Sequence, residues 1–310
     1  MRKACLGMVH QLARRDPRVI FMGSDLGPGT LDAMKRELPE RFFMEGVAEQ
    51  NLIGVAAGLA LEGYVPYVNT IASFLTRRCF EQVVLDLCLQ NLPVRLIGNG
   101  GGLVYAPQGP THMTIEDLAI LRALPNMTVV VPVDAEEMVR FMELTPDWPG
   151  PIYIRLAKGG DPVVSRAGDG FAIGRGILLR EGDHAAILAT GVLVNRALAA
   201  AELLAGAGIR CAVLNLHTVK PLDAAAVLEL AGRVPLLVTA EEHGRAGGLG
   251  GAVAETLLDH PPASMPRVVR LGLPDAFTDG YGSQDELLQR YGLQPPQLAQ
   301  TVRAHLQGRC

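Results

Sequence analysis

The stretch FFMEGVAEQNLIGVAAGLALEGYVPYVNT, residues 42–70, decides the fold class. From Glu49 to Leu61 it is crowded with alanine, leucine and isoleucine and predicts a helix. From Val65 the run VPYVNT is β-branched and short, and predicts a strand. The same alternation continues on both sides. VIFMG from Val19, VRLIGNG from Val94, MTVVVP from Met127 and PIYIRLA from Pro151 read as strands, and Phe74 to Gln90 reads as a helix. Asp134 with Glu137 three residues on is a capping-box pattern that starts another helix. Continuous apolar strands separated by helices imply a mostly parallel sheet covered on both faces.

A second series follows a stretch rich in Gly, Asp, Pro and Arg, from Lys158 to Arg175, which reads as a linker. AAILATG from Ala185, IRCAVLNL from Ile209, PLLVTAEE from Pro235 and RVVRLGL from Arg267 are its strands. Asn195–Ala207, Asp223–Ala231, Gly248–Leu258 and the tail are its helices. The expectation is an α/β protein with two doubly wound domains, residues 1–160 and 176–310, joined by residues 161–175.

Composition narrows the function. The 310 residues are 49% hydrophobic, too apolar for a disordered chain. A net charge of −4 argues against a nucleic-acid binder, which shows a basic excess. No apolar run reaches the roughly 20 residues that span a bilayer. The start, MRKACLGMVHQLARRDPRV, does not read as a signal peptide, because its apolar residues recur at helical spacing and are broken by His10, Gln11 and Arg14. Five cysteines without C-x-x-C spacing are expected as reduced thiols of a cytoplasmic protein.

Several segments invite a chemical reading. Gly247-Gly248-Leu249-Gly250-Gly251 precedes a helix; close helix–strand packing explains it better than a cofactor phosphate, for which the spacing is wrong. Glu45 and Glu49 lie near the turn into a helix so apolar that it should be buried. Helix capping is one reading of Glu49. The other is an acid/base group, since a carboxyl at the mouth of a buried helix is poorly solvated. His112, in GPTHMTIEDL, could be a plain surface residue. It lies on a loop opened by a strand-ending glycine run, Gly98 and Gly100–Gly102, where function concentrates.

Taken together, these segments resemble the transketolase superfamily over nearly the whole chain. GVAEQN followed by AAGLALEGYVPYV resembles the segment bearing that family's cofactor-activating glutamate. NLPVRLIGNGGGLVYAPQGPTHMTIEDLAILRALPNMTVVVPVDA is similar in order and spacing to its pyrimidine-domain signature. ATGVLVNRALAAAELL, LNLHTVKPLD and EEHGRAGGLGGAVAE resemble successive stretches of its C-terminal domain. The resemblance starts with the pyrimidine domain. The one GDG triplet, Gly168-Asp169-Gly170 with Asn195 beyond, lies in the linker and not at a strand end, so it does not read as the family's metal-and-diphosphate motif. The chain therefore looks like the second subunit of a split transketolase.

That resemblance implies thiamine diphosphate, with Mg2+ bound mainly by a partner subunit that carries the diphosphate-binding domain. It implies a homodimeric core within an α2β2 assembly. Glu49 matches the glutamate that hydrogen-bonds the pyrimidine N1′. Phe74 matches an aromatic residue packing on the pyrimidine, with ordinary core packing as its plainer reading, and Ile71 replaces a second aromatic. His112 matches a pocket histidine that meets substrate oxygens or helps proton transfer. Departures fall on the substrate side. Gly100 stands where the family has another active-site histidine, Gln108 where it has an aspartate, Gly29 where it has a phosphate-binding serine, and Lys158 where it has a phosphate-binding arginine. The implied chemistry moves a two-carbon ketol or acyl unit from a ketose or 2-oxo acid to an aldehyde, with pentose phosphates disfavoured. Two alternatives stand beside it: a β subunit of a 2-oxo-acid dehydrogenase decarboxylating component, and a non-catalytic scaffold subunit. GPTH and AEQN favour the transferase over the first, and Glu49, Phe74 and His112 argue against the second.

Overall fold

In the computed structural model, which describes residues 1–24 and 29–308, the chain builds two α/β layers. The strands are β1 (Val19–Gly23), β2 (Phe42–Met44), β3 (Val65–Ile71), β4 (Arg95–Asn99), β5 (Thr128–Val130) and β6 (Ile152–Leu156), then β7 (Ile177–Arg180), β8 (Ala185–Ala189), β9 (Cys211–Asn215), β10 (Thr218–Lys220), β11 (Leu236–Gly244) and β12 (Arg267–Leu273). The first sheet runs β10-β5-β6-β4-β3-β1-β2 and the second β12-β11-β8-β9-β7. All pairs are parallel except β10 with β5 and β7 with β9. The two mostly parallel sheets are those the apolar strands predict.

Burial on both faces explains the strand composition. Along β1, Ile20 and Met22 pack with the helix Glu49–Leu61, while Val19 and Phe21 point the other way, against the helix Arg2–Arg15. In the second sheet Ala186 and Leu188 serve one core, and Ala185, Ile187 and Ala189 the other. Helix starts follow their caps. Asp134 accepts from the Glu137 amide at 2.8 Å, and Asp223 from the Ala226 amide at 3.1 Å. The glycine-rich turn at Gly247–Gly251 is a packing device. The Glu241 carboxylate accepts from the Leu249 and Gly250 amides at 2.6 and 2.8 Å, and a Cβ on Gly248 would lie 2.0 Å from that carboxylate.

Several expectations need revision. The helix Glu49–Leu61 is not wholly buried: Leu52, Ile53, Ala56 and Ala60 face the core, whereas Gln50, Asn51, Gly54, Val55, Gly58 and Leu61 are exposed. Continuous hydrophobicity therefore does not report one buried cylinder here. The Phe74–Gln90 helix contains two π-helical turns, Phe74–Arg78 and Val83–Cys88. The segment after Lys158 is pinned: Asp134 accepts from the Val164 and Ser165 amides, and Phe171 stacks on His217 at 4.1 Å. The strand β10 leaves the second layer to join the first sheet, so the layers share hydrogen bonds across the 161–175 boundary. Gly168 and Asp169 sit in this segment in a single 3-10 turn, Ala167–Asp169, with Gly170 just after it, away from any strand end. Among the described residues Cys5, Cys79, Cys88 and Cys211 are buried free thiols; Cys310 lies outside them. No helix is long and apolar enough to cross a membrane among the described residues.

Candidate active site

Open parallel sheets bind ligands outside the carboxyl ends of their strands, where the connections reverse direction. Here the reversal falls between β1 and β3, whose connections lead to opposite edges of the sheet. Ser24 follows β1, Thr70 lies near the end of β3, and Glu49 opens the helix that feeds β3. Ser24 Oγ lies 2.6 Å from Thr70 Oγ1 and 3.2 Å from Glu49 Oε1. Glu49 is only 2% exposed. Its other oxygen accepts from Arg78 Nη1 at 2.7 Å. The carboxyl expected to be poorly solvated is thus buried but ion-paired.

Arg78 does more than neutralise it. Its guanidinium carbon sits 4.2 Å from the Phe74 ring centroid. Phe74 and Arg78 are four residues apart on one π-helical turn, which brings both to one face. The Phe74 ring meets His112 edge-on, with centroids 5.2 Å apart. The fold thus brings Glu49, Phe74 and His112 into one site, with Arg78 bridging the first two. Ile71 ends β3 beside them, half-buried. Glu45 is exposed.

His112 comes from a loop closed at its base by the Gly102–Thr114 bridge. The glycine run makes this base possible. A Cβ on Gly101 would meet the Arg155 side chain at 2.3 Å, and one on Gly102 would meet the Glu242 carboxyl at 2.5 Å. Arg155 is buried against Asp117 at 2.9 Å, and Glu242 accepts from the Leu103 amide at 3.0 Å, so the second layer holds the loop. Leu103, Ala106 and Met113 pack in the second layer's core. Burial pushes the Glu242 carboxyl above its usual range, the Arg155 charge pulling it back.

Beyond His112 the loop carries Tyr105 and Gln108. With Gly100 and Lys158 they line a cavity of about 270 Å³. Gly100 stands where the resemblance places a histidine. Tyr105 fills that space: a Cβ on Gly100 would fall 2.3 Å from its ring. Gly29 is exposed in a turn with φ +78° and abuts residues 25–28, which lie outside the described residues. Sequence reasoning missed Arg78, Tyr105 and Ser24. The first two were readable only as an i, i+4 aromatic–cation pair and an aromatic in a loop. Among the described residues no group of three His, Cys, Asp or Glu side chains is placed to hold a metal ion.

This arrangement matches known proteins. The description "Transketolase, pyrimidine binding domain" fits residues 1–160, and "Transketolase, C-terminal domain" fits residues 174–298. The chain belongs to the transketolase family. Among similar transketolase relatives is a 6-deoxy-6-sulfo-D-fructose transketolase subunit, SqwH, of Clostridium sp. (strain MSTE9), 39% identical over 94% of this chain and 90% of the relative. A 1-deoxy-D-xylulose-5-phosphate synthase of Geobacter sulfurreducens is 40% identical over 96% of this chain, which spans only 46% of that enzyme. A solved "Split gene transketolase, inactive beta4 tetramer" superposes with a TM-score of 0.90 at 37% identity, covering 99% of this chain and 98% of that one.

Proposed function

We propose that this transketolase-type chain is the cofactor-activating subunit of a two-component, thiamine diphosphate-dependent transferase. The observation that carries this reading is Arg78 itself. A planar group with N–H donors lies on the Phe74 face and donates to the buried Glu49 at once. The site therefore fits an aminopyrimidine ring, which offers a flat face and ring nitrogens to the same two residues. Phe74 would bear the ring, with Ile71 beside it, and Glu49 would hold the proton shared with N1′. Ser24 and Thr70 orient the Glu49 carboxyl. Bound thiamine diphosphate supplies an acidic thiazolium carbon able to add to a ketose or 2-oxo-acid carbonyl. His112, whose ring meets Phe74, would hydrogen-bond substrate oxygens and pass protons. Lys158 and Gln108 meet the far end of the substrate, and Gly100 lets Tyr105 approach.

The diphosphate and Mg2+ would be held by a partner carrying the diphosphate-binding domain. A relative named as a subunit, matched over nearly all of its length, supports that division. The β4 assembly of a similar split transketolase supports self-association, within an α2β2 enzyme. A ketose donor without the pentose-phosphate pattern, such as a sulfonated hexose, fits the altered substrate side, with an aldehyde as acceptor. A cytoplasmic setting fits the buried free thiols.

Glu49→Gln tests the reading. Gln keeps shape but cannot carry the proton, so exchange of the thiazolium C2 hydrogen in the reconstituted complex should fall about 100-fold or more. Circular dichroism and assembly should stay unchanged. Exchange at the wild-type rate would overturn the role of Glu49.

A further inference from the structure

Near its end, β11 carries two glutamates and a histidine, Glu241-Glu242-His243, all buried. Successive strand residues face opposite ways. Glu241 and His243 both lie against Gly248, and the Glu241 carboxylate is fully engaged by the Leu249 and Gly250 amides. Glu242 points instead toward the first layer. Its Oε1 accepts from the Leu103 amide at 3.0 Å and from Gln284 Nε2 at 2.7 Å. Its Oε2 lies 2.6 Å from where a Cβ on Gly102 would stand. Its main-chain carbonyl accepts from Arg155 Nη2 at 2.8 Å, and the same nitrogen donates to the Thr114 carbonyl at 3.2 Å. Gly102 and Thr114 are the two feet of the loop that carries His112, and they exchange hydrogen bonds of 2.8 and 3.0 Å. Glu242 therefore holds one foot with its side chain and, through Arg155, the other with its main chain.

The loop has little of its own to fix it. Between its feet stand one 3-10 turn, Ala106–Gln108, and two prolines, Pro107 and Pro110, which have no amide hydrogen to give. Yet His112, two residues before the Thr114 foot, has to meet the Phe74 ring at 5.2 Å. Burying a carboxylate is costly unless it is hydrogen-bonded, and this one gives an oxygen to a loop amide. We infer that Glu242 is a positioning residue, which acts on the reaction through His112 by fixing the base of its loop. The reach of its acceptor oxygen matters here, and its charge does not: the Leu103 amide is neutral, and Arg155 already has Asp117 as an ion-pair partner at 2.9 Å. The inference rests on the proposed transferase reading and deepens its account of His112.

Two substitutions separate reach from charge. Glu242→Gln keeps the oxygen in place and removes the charge. Glu242→Asp keeps the charge and draws the oxygen back by one C–C bond, about 1.5 Å. The first test needs no cofactor. It reads the imidazole proton resonances of His112 in the chain alone, which feel the Phe74 and Tyr105 rings 5.2 and 6.5 Å away. Glu242→Asp should shift them, and Glu242→Gln should leave them in place. The resonances of His217, buried against Phe171, should stay put in both variants. An unshifted His112 in Glu242→Asp, an equal shift in both variants, or a His217 that moves with His112 overturns the positioning role. The second test reads kcat of the reconstituted enzyme, with hydroxypyruvate as donor and glycolaldehyde as acceptor, beside exchange of the thiazolium C2 hydrogen. A misplacement of about 1 Å can cost about 100-fold in rate, so Glu242→Asp should lower kcat at least tenfold. Glu242→Gln should stay within about threefold of the wild type, and C2 exchange, the task proposed for Glu49, should be unchanged in both. In a His112→Asn background Glu242→Asp should cost nothing more. C2 exchange that falls in step with kcat, or a full further loss in that background, overturns the inference. If the wild-type complex shows neither turnover nor C2 exchange, the proposed function falls, and the His112 resonances still decide the role of Glu242.

Discussion

Arg78 donates to Glu49 while its guanidinium rests on Phe74, so the chain satisfies its own buried carboxylate. An unpaired buried charge is costly, and a charge-assisted hydrogen bond is worth about 1.5–3 kcal/mol. Arg78 is about 41% exposed, so the lower end of that range applies. Arg78→Ala is expected to destabilise the chain alone by about 1–2 kcal/mol in urea denaturation. In the reconstituted complex the same change should tighten cofactor binding, because the guanidinium and the pyrimidine compete for one ring face and one carboxyl. Calorimetry of the loaded complex reads this directly; weaker binding would mean that Arg78 stays in place as a ligand. Arg78→Lys should resemble alanine in stacking but not in charge, since an ammonium lacks the flat fork.

The helix Glu49–Leu61 shows how one element serves two surfaces. Leu52, Ile53, Ala56 and Ala60 fill the sheet core, and the opposite side leaves Val55 and Leu61 in solvent beside Gly54 and Gly58. Nothing stands within 4 Å of a Cβ on either glycine. Exposed Val47, Leu85 and Leu89 on neighbouring elements add to an apolar face that a lone chain leaves wet. A second copy of the chain is the occupant the proposed assembly requires. Val55→Asp should therefore weaken self-association at least tenfold, about 1.4 kcal/mol, in sedimentation equilibrium. The thermal midpoint of the monomer should scarcely move. Unchanged association would place the contact elsewhere.

At the scale of the whole molecule, the strand β10 stitches the second layer to the first sheet, and His217 sits at the stitch. Its carbonyl accepts from the Val131 amide at 2.7 Å, and its ring stacks on Phe171. Burial pushes the imidazole down to about 4, with Asp223 pulling the other way. The folded form thus resists a proton that the unfolded form accepts near 6.5. This contribution is complete above pH 6.5 and is lost as pH falls toward 4, about 3 kcal/mol in all. Glu137, pushed up to about 7 by burial although the Asn215 amide donates to it and pulls the other way, works in the opposite sense: it favours the fold increasingly as pH drops from 7 toward 4.5. His217→Phe keeps the stacking and removes only the histidine's share. Between pH 6.5 and 4.5 the variant should lose less stability than the wild type, by about 2 kcal/mol in pH-resolved urea melts. Parallel curves would show that His217 titrates alike in both states.

The α/β class and the two series of strands were legible in the sequence itself, whereas the grouping of Glu49 with Phe74 and His112 was legible only through the family resemblance. Apolar runs such as VIFMG and AAILATG must be buried on both faces, and residues at strand ends of a parallel sheet converge wherever the chain lies between them. The Asp134 and Asp223 caps were readable for a similar reason, because capping is local chemistry. Three things were decided only by tertiary structure. Arg78 pairs with Glu49 across a separation of 29 residues, and no local spacing announces that meeting. Tyr105 fills the room left by Gly100 because Arg155 and Glu242, from distant strands, pull the glycine loop tight beneath it. Arg2 lines one cavity with Lys158, 156 positions away, because the start of the first helix packs close to Gly159. Sequence patterns record burial and hydrogen bonds made within a few residues. Side chains that meet at long separation, filling each other's space or neutralising each other's charge, become visible only once the sheets have brought them together.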